Sequence, residues 1–318
     1  MQVTVTIPAT SANLGPGFDC LGLALSLYHT VTFTTQTTPG MTIEVSGEDA
    51  HKVFTDERNL VWQCAQFLFE RFNRTPPGLH IRQENEIPVG SGLGSSSTAV
   101  LAGLFGANAL MGEPLSRAEV LQTATDLEGH PDNVAPAVYG GLILGVQETD
   151  GLLVEPIAMP LIKVVVVLPD FHLLTSEARA ALPQQHSLKD AIFNTSHIAL
   201  LIRALQTANY DLLGAAMQDR LHQPYRIPLI PGMANAFTAA KEAGAAAVAL
   251  SGAGPSLIAF APAQHEQIGR AAAAVFAEHG LGSRRWILSV DSQGTAVTVQ
   301  QAPNQSKDKR PHSLKFQS

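Results

Sequence analysis

Residues 88–98 read PVGSGLGSSST, and they constrain this chain more than any other segment. Three glycines alternate with Ser91 and Leu93, and four hydroxyl residues follow before a small, apolar run. Glycine lets backbone N–H groups approach a ligand because no Cβ stands in the way. A helix that begins directly after such a loop adds free N–H groups and the positive end of its dipole. The segment therefore predicts a phosphate-binding loop and helix, with first-turn hydroxyls available to a phosphate oxygen or a metal ion.

A simpler alternative for this segment is a tight turn whose serines only cap a helix. Two serines would be enough for such a turn, and the three glycines would not be needed. The segment lacks the Lys-Ser/Thr ending of a Walker A loop. It also carries Ser95 where the dinucleotide-binding fingerprint requires its third glycine. The sequence thus favours a phosphate loop of a kind other than these two.

The composition narrows the class of protein. At 318 residues the chain is long enough for two domains, and its net charge of −7, without a basic stripe, argues against a nucleic-acid surface. The two cysteines, Cys20 and Cys64, lack a metal-site spacing and fit a reducing compartment, and Cys20 is expected to pack. No signal-peptide pattern opens the sequence, and no apolar run reaches the roughly 18 residues of a membrane span. A soluble cytoplasmic protein is expected.

Hydrophobic periodicity predicts strands and helices in both halves of the chain. Strands are expected at residues 2–7, 28–35, 41–45, 79–83, 141–147, 163–168, 247–250 and 257–260, and a hairpin around DSQG is expected to join 286–290 to 296–300. Residues 8–22, PATSANLGPGFDCLG, are expected to form a polar loop. The acidic, proline-containing residues 147–160 are expected to separate two α+β units, 1–160 and 161–302, with a cleft between them. The basic residues 303–318 are expected to form a disordered tail.

Several helix boundaries carry recognisable capping residues. Asn59 is expected to cap a helix over residues 60–72. Ser116 and Glu119 form a capping box for a helix that Gly129 ends. Pro231 is expected at the first position of a later helix.

A second motif, EGHPDN at residues 128–133, places a carboxylate at the end of a helix beside a tight turn. Phosphoryl transfer from ATP requires Mg²⁺ on the phosphates, and Mg²⁺ prefers hydroxyl, carboxylate and water oxygens. Glu128 and a hydroxyl of the glycine-rich loop could supply both protein ligands. Alternatively, Glu128 is a solvated helix end, Asp132 only caps the next helix, and His130 is purely structural.

A third motif, SGAGPS at residues 251–256, lies between two predicted strands. It could be no more than a glycine-containing hairpin turn. It could also form a backbone wall beside a small ligand, where side chains would obstruct, and Gly252 would then line that wall.

The order of these motifs resembles that of the GHMP kinases, a family of small-molecule kinases. PATSANLGPGFDCLG, PVGSGLGSSST, EGHPDNVAPAVYGG and LSGAGPS follow one another as they do in that family, over most of the chain. The resemblance implies a two-domain α+β fold, with an N-terminal nucleotide-binding domain and a ferredoxin-like C-terminal domain. The N-L-G-P-G-F-D pattern is most similar to members that act on L-homoserine. The resemblance therefore implies ATP-dependent phosphorylation of the L-homoserine side-chain hydroxyl, a step of threonine biosynthesis.

The resemblance also implies roles for individual residues. The phosphates of ATP are expected on Pro88, Val89, Gly90, Ser91, Gly92, Leu93, Gly94, Ser95, Ser96, Ser97 and Thr98, and the adenine on Asn59. Ser96 and Glu128 match the Mg²⁺ ligands. The amino-acid site is expected to contain Asn13, Asp19, His130, Asp132, Asn133, Thr175, Arg179, Arg226 and Gly252. Glu128, Asp132 and Asn133 are the expected catalytic residues, and a homodimer is expected by resemblance alone.

The choice of substrate depends on three charged residues. Asp19 suits an ammonium group, whereas Arg179 and Arg226 suit a carboxylate because a guanidinium is always charged and offers two parallel donors. Both arginines could instead be ordinary surface charges. Two other functions stay open: a family member acting on another alcohol, of mevalonate or shikimate type, and a catalytically silent sensor of ATP and a metabolite. A buried Asp19 would disfavour the first, and intact Ser96, Glu128 and Asp132 would disfavour the second.

Overall fold

The computed structural model describes residues 1–301 and contains two β-sheets. The strands are β1 (Gln2–Ala12), β2 (Leu21–Gln36), β3 (Met41–Gly47), β4 (Gly78–Asn85), β5 (Leu142–Glu148), β6 (Gly151–Ile157), β7 (Lys163–Pro169), β8 (Ala247–Leu250), β9 (Leu257–Phe260), β10 (Ser283–Ser289) and β11 (Ala296–Gln300). The tail predicted for residues 303–318 lies outside the described residues.

The first sheet has seven strands, with β1 and β2 at its centre. The strand order is β11-β1-β2-β4-β3, and β5 pairs with both β2 and β6. β3 and β4 are parallel, and the other pairs are antiparallel. Val3, Val5 and Ile7 are buried on one face of β1, as their alternation predicts.

The second sheet has four antiparallel strands in the order β10-β7-β9-β8. In chain order these are its fourth, first, third and second strands, with helices before the second and before the fourth, which is the ferredoxin-like arrangement. Val164 and Val166 of β7 face one core, and Val165 and Val167 face the other. Burial on both faces explains the continuous apolar run that predicted this strand.

Ten α-helices lie among the described residues. They are α1 (Leu60–Arg71), α2 (Ser95–Leu110), α3 (Arg117–Glu128), α4 (Pro131–Tyr139), α5 (Thr175–Ala180), α6 (Leu188–Gln206), α7 (Tyr210–Ala216), α8 (Gln223–Arg226), α9 (Met233–Glu242) and α10 (His265–Glu278). The Asn59 side chain accepts from the Trp62 N–H at 3.2 Å, so the predicted cap of α1 is confirmed. The capping box of α3 is also present. α9 begins at Met233, after a left-handed Gly232, rather than at Pro231.

Three clusters of buried apolar side chains hold the elements together. One lies between the first sheet and helices α1–α4, and another covers the outer face of the second sheet under α9 and α10. The third joins the two sheets, because Leu23 and Ile87 of the first half pack with Val164 and Ile258 of the second. The shared core fixes the two halves against each other and thereby fixes the groove at their junction. Among residues 1–301, every helix is too short or too polar to cross a membrane.

The predicted hairpin of residues 286–300 is wrong. β10 pairs with β7 in the second sheet, and β11 pairs with β1 in the first. DSQG does form a turn, since Asp291 Oδ1 accepts from the N–H groups of Gln293 and Gly294. The turn carries the chain from one sheet to the other, because the strands on either side have partners far away in sequence.

The predicted loop of residues 8–22 is too long. β1 continues through a register shift at Pro8 and Ala9 to Ala12, and β2 already begins at Leu21. Small buried residues in this stretch hide the strand pattern from the sequence. The division into units 1–160 and 161–302 remains our proposal: the chain passes between the sheets at residues 158–162, and β11 returns to the first sheet.

Candidate active site

The phosphate loop has the backbone that its glycines predict. Gly90, Gly92 and Gly94 have φ values of 68°, 76° and 73°, in the left-handed region that side chains disfavour. α2 begins directly afterwards, with Gly94 as its N-cap. The first N–H groups of α2 have no acceptor inside the helix and add to the positive end of its dipole. A plain capping turn would not need three left-handed residues, so the geometry favours an anion-binding loop.

Residues 8–22 and the third motif meet the loop near Gly92. Ser251 Oγ donates to the Gly92 carbonyl oxygen at 2.7 Å and lies 2.9 Å from the Ser11 hydroxyl. Asn13 Nδ2 donates to the carbonyl oxygen of Gly252 at 2.8 Å. A Cβ at Gly92 would collide with the Ser251 carbonyl oxygen, so only glycine fits there. The third motif is therefore both a turn between β8 and β9 and a backbone wall against the loop.

Two consecutive serines of α2 bind the carboxylate of Glu128. Ser96 Oγ donates to Glu128 Oε1 at 2.9 Å, and Ser97 Oγ donates to Oε2 at 2.6 Å. Ser96 is exposed and Ser97 is buried. α3 ends at Glu128, so the end of α3 meets the start of α2 beside the loop. The predicted pair, Ser96 and Glu128, is thus brought together, and the structure adds Ser97.

The EGHPDN motif presents two hydrogen-bonded pairs. His130 Nδ1 lies 2.6 Å from Asp132 Oδ1, and this hydrogen bond raises the pKa of His130. Asp132 is buried, with 2% of its surface exposed. Thr10 Oγ1 donates to Asn133 Oδ1 at 2.9 Å, and both atoms adjoin Gly94 of the phosphate loop. Because Asn133 accepts through its oxygen, its NH₂ group is available to a ligand.

Asp19 and Arg179 form a two-point ion pair across the groove. Arg179 Nη1 and Nη2 donate to the two carboxylate oxygens of Asp19 at 3.0 and 2.9 Å. The pair is partly solvated, with 46% of the Arg179 side chain and 33% of the Asp19 side chain exposed. Asp19 lies near the start of the first half, and Arg179 lies on α5 of the second. The contact therefore bridges the two halves in the lining of the cavity.

Arg226 is the largest fully buried side chain, with 1% of its surface exposed. Its hydrogen bonds to the carbonyl oxygens of Ala178 and Gly252 are long, at 3.3 and 3.4 Å. Within residues 1–301, no carboxylate lies within 4.0 Å of its guanidinium nitrogens. Its charge centre lies 5.0 Å from the centroid of the Phe18 ring. Burial lowers the pKa of Arg226, so this cation is held in a place that favours an incoming anion.

One cavity of about 640 Å³ contains most of the predicted residues. Its lining includes the loop residues Val89, Gly90, Ser91, Gly92, Gly94, Ser95, Ser96 and Ser97, and also Asn13, Asp19, Asn59, Glu128, His130, Asp132, Asn133, Thr175, Arg179, Arg226 and Gly252. The structure thus brings residues from all four motifs and from both halves into one groove. That volume is within the range of pockets that hold a nucleotide-sized ligand.

Three predicted loop residues, Pro88, Leu93 and Thr98, do not line the cavity. All three are buried, and the Leu93 carbonyl oxygen accepts from the Thr10 N–H at 3.1 Å. Thr98 Oγ1 donates to the Ser95 carbonyl oxygen at 2.9 Å. These contacts of Leu93 and Thr98 hold the loop in place, and the contact of the three residues with the phosphates stays a prediction.

Two further predictions concern the side chains of Asn59 and Cys20. The Asn59 side chain is occupied by its cap and by Gln83 Nε2 at 3.0 Å, so its contact with adenine stays a prediction. Burial raises the pKa of the Cys20 thiol to about 11, with Asp132 and Asp19 adding to the shift. The thiol stays protonated, which agrees with a packing role.

Sequence reasoning missed several lining residues. Lys52, Val53, Phe54, Arg58 and Gln63 line the cavity near Asn59. The Arg58 guanidinium lies 4.0 Å from the centroid of the Phe54 ring. These residues precede α1 or lie within it, where the sequence offers no glycine-rich or acidic pattern to mark a site.

The comparison with protein families agrees with the fold and the loop. The model of the GHMP kinases N terminal domain matches residues 59–141, and the model of the GHMP kinases C terminal domain matches residues 201–278. Mevalonate kinase from L. major shares the fold, with a TM-score of 0.71 over 90% of this chain and 95% of that one, at 20% identity. Fold and loop therefore define a small-molecule kinase of the GHMP class.

More similar relatives narrow the class. Homoserine kinase from Synechococcus sp. is 46% identical over 93% of this chain and 98% of that protein, and homoserine kinase from Moorella thermoacetica is 44% identical over 87% and 93%. The crystal structure of homoserine kinase from Cytophaga hutchinsonii matches with a TM-score of 0.82 at 32% identity, over 93% of this chain and 97% of that one. The chain belongs to the homoserine kinases of the GHMP kinase family.

Proposed function

We propose that this protein transfers the γ-phosphoryl group of ATP to the side-chain hydroxyl of L-homoserine, yielding O-phospho-L-homoserine and ADP. The observation that carries the proposal is the buried Arg226, which lines the same cavity as the phosphate loop and has no carboxylate partner among residues 1–301. A buried cation is costly unless something pairs with it. An amino-acid carboxylate would supply that partner.

The charges of the groove match the zwitterion of homoserine. We propose that the substrate ammonium binds Asp19, and that its carboxylate binds Arg226 and Arg179. Asn13, Thr175 and Gly252 line the same cavity and would complete the contacts. Phosphate and amino-acid ends of the groove would then be separate, so that each substrate has its own set of donors.

Asn133 is proposed to orient the reacting hydroxyl. Thr10 fixes its amide through the oxygen, which leaves the NH₂ group to donate to the hydroxyl oxygen. Asp132 lies beside it and is hydrogen-bonded to His130. We propose that the hydroxyl proton passes to the transferred phosphoryl group, because a loose transition state makes little demand for a base. Asp132 would then organise the turn with His130.

The site also fits Mg²⁺. Hydroxyl and carboxylate oxygens are the ligands this ion prefers, and Mg²⁺ usually keeps several waters and substrate phosphates beside one or two carboxylates. Ser96 and Glu128 meet these needs beside the loop and would hold the ion, with Ser97 fixing the second carboxylate oxygen. When bound, Mg²⁺ would neutralise charge on the transferring phosphates.

The structure weakens one argument against other alcohols. Asp19 is one-third exposed and already paired with Arg179, so a substrate without an ammonium group would not leave a buried carboxylate alone. The relatives named homoserine kinase, rather than Asp19, therefore support the choice of substrate. A direct comparison of substrates has to decide it.

The test is ADP release with ATP and a panel of L-homoserine, mevalonate and shikimate, each at several concentrations. We expect L-homoserine to have a kcat/KM at least ~100-fold above the others. Phosphorus NMR should identify O-phospho-L-homoserine as the product. ATP binding without ADP release on any alcohol would support the sensor instead, and preference for mevalonate or shikimate would overturn the choice of substrate.

Three expectations accompany this proposal. A role in threonine biosynthesis follows from the proposed product. A cytoplasmic location and a homodimer stay predictions, which fractionation of cells and light scattering of the purified protein would check.

A further inference from the structure

His222 lies fully buried behind Arg226 and is absent from the residues that line the cavity. Its Nε2 is 2.7 Å from the Gly15 carbonyl oxygen, and its Nδ1 is 3.4 Å from Arg226 Nη1. Its ring stacks on Phe18 with centroids 5.1 Å apart and planes inclined by 19°. Phe18 in turn faces the charge centre of Arg226. His222 and Phe18 thus both lie against the buried guanidinium of Arg226.

The neighbours of His222 decide which ring nitrogen carries the proton. Nε2 faces two acceptors, the Gly15 carbonyl oxygen at 2.7 Å and Asp219 Oδ2 at 3.4 Å, so it must be an N–H donor. Nδ1 faces a guanidinium N–H, so it must be a bare acceptor. A proton on Nδ1 would set one donor against another and place a second cation beside Arg226. Burial also lowers the pKa of His222, which favours the same neutral ring.

Asp219 is a negative charge near Arg226 but forms no direct ion pair with it. Its side chain is fully buried and accepts from the backbone N–H groups of Leu221, His222 and Gln223 at 2.8, 3.0 and 2.6 Å. Asn194 Nδ2 donates to it at 2.7 Å. With its oxygens occupied in this way, Asp219 does not form a direct ion pair with Arg226. The neutral ring lies between the two charges, so the guanidinium keeps its charge for a ligand.

We propose that His222, as the neutral tautomer protonated on Nε2, is a positioning residue that orients Arg226 toward the substrate carboxylate. The inference rests on the proposed function, because it takes that carboxylate to belong to L-homoserine. His222 does not touch the substrate, so its effect is exerted through the direction of one guanidinium N–H.

Two substitutions of His222 distinguish the effect of one ring nitrogen from that of the other. His222→Gln places an amide NH₂ near the Nε2 position and keeps a donor for Gly15, but it loses the acceptor that faces Arg226. His222→Asn places an amide oxygen near the Nδ1 position and keeps that acceptor, but it loses the bond to Gly15. The exposed His279, at the end of α10, provides the matched control His279→Gln.

We expect the variant with the larger rise in KM for L-homoserine to show the smaller loss of stability. His222→Gln should raise KM for L-homoserine by ~10- to 100-fold, the loss of one hydrogen bond to a charged group, with KM for ATP unchanged. His222→Asn should raise KM for L-homoserine less, although it should lower the melting temperature more. His279→Gln should change neither KM. Equal rises in KM for both His222 variants, or rises that follow lost stability, would overturn the proposal.

A measurement without substrate tests the tautomer itself. Nitrogen-15 NMR of histidine-labelled protein should show His222 with a protonated Nε2 and an unprotonated Nδ1. A protonated Nδ1 would overturn the proposal even if the protein phosphorylates L-homoserine. Conversely, if the protein does not phosphorylate L-homoserine, the proposed function is refuted, but this spectrum still reports the tautomer of His222 beside Arg226.

Discussion

Arg179 donates two parallel hydrogen bonds to Asp19, at 3.0 and 2.9 Å, so the side chains predicted for opposite ends of an amino acid pair with each other. A zwitterion can replace this pair without leaving a charge alone, because its ammonium meets Asp19 while its carboxylate meets Arg179. A ligand with only one of these charges either leaves the pair in place or displaces it and leaves one partner alone. Displacement of the ion pair without an unpaired charge is therefore open only to ligands that carry both charges.

The Asp19–Arg179 pair should matter for the substrate far more than for the fold. Both side chains are over 30% exposed, and such pairs contribute only ~0.2–1 kcal/mol to stability. We expect Asp19→Asn and Arg179→Gln each to lower kcat/KM for L-homoserine by ~10- to 100-fold while ATP affinity is kept. A double-mutant cycle in urea unfolding and in kinetics measures both effects. A large coupling in stability with none in kinetics would contradict the substrate role.

Arg226 should act on L-homoserine and leave ATP nearly alone. Arg226→Leu removes the charge-assisted partner of a desolvated carboxylate, at a cost of ~2–5 kcal/mol, or a fall in kcat/KM of roughly 30- to several thousand-fold. Arg226→Lys should restore only part of this, because an ammonium lacks the planar two-point contact. The analogue 3-aminopropan-1-ol lacks the carboxylate and should be a poor substrate of the wild type. Arg226→Leu should lower kcat/KM for this analogue little further. An equal loss of ATP affinity would assign Arg226 to the nucleotide or the fold.

Glu128 is expected to hold Mg²⁺ together with Ser96. Glu128→Gln keeps the shape and a hydrogen-bonding oxygen for Ser96 or Ser97, but it removes the negative charge that the cation requires. We expect kcat to fall by ~10²-fold or more, with an unchanged melting temperature. Titration of Mg²⁺ against ADP release measures the effect. An unchanged kcat at saturating Mg²⁺ would remove Glu128 from the metal site.

Asp132 decides whether the reaction uses a base. If the hydroxyl proton passes to the phosphoryl group, Asp132→Asn should lower kcat by less than ~10²-fold, because the amide can still accept from His130. A general base would account for ~10²–10⁴-fold. Single-turnover rates with both substrates saturating measure the chemical step. A loss of ~10²-fold or more with substrate binding retained would assign Asp132 as the base.

His130 should make stability depend on pH. The hydrogen bond that His130 donates to Asp132 raises the pKa of His130 above its ordinary value of 6.5, so the folded state binds this proton more tightly than the unfolded state. The resulting stabilisation is fully present below 6.5 and is lost as the pH rises through the raised pKa. Because the buried His222, whose pKa is lowered, changes stability in the opposite direction, the test is the difference in free energy of unfolding between the wild type and His130→Gln, measured in urea. This difference should fall from about pH 5.5 to about pH 8.5, and a difference that rises over this interval would contradict the assignment.

Local chemistry predicted much of the site. The left-handed φ of Gly90, Gly92 and Gly94 is what three alternating glycines imply, and the caps at Asn59 and Ser116 are where their side chains indicate. Each of these features depends on a few neighbouring residues. Such features can be deduced from sequence because their physical causes lie within one turn of the chain.

Features that depend on distant partners could not be deduced. The hairpin predicted around DSQG fails because β10 and β11 pair with β7 and β1, to which no local pattern points. Ser97 looks like its neighbours in a serine run, and only the fold shows its hydroxyl on Glu128. The tautomer of His222 likewise depends on Gly15, which lies in the first half of the chain, together with Arg226, which lies one helical turn away.

Because β11 returns to the first sheet, no single cut in the chain divides it into two halves that both keep their strand pairs. A gene fragment ending at residue 160 would encode β1 without the strand that pairs with Gln2–Thr6. Unpaired backbone along such an edge recruits strands from neighbouring molecules, so the fragment should self-associate when expressed alone. Fusing residues 294–301 to it through a flexible linker should relieve that association. The borders of this enzyme's building blocks therefore follow strand pairing rather than the linear order of the gene.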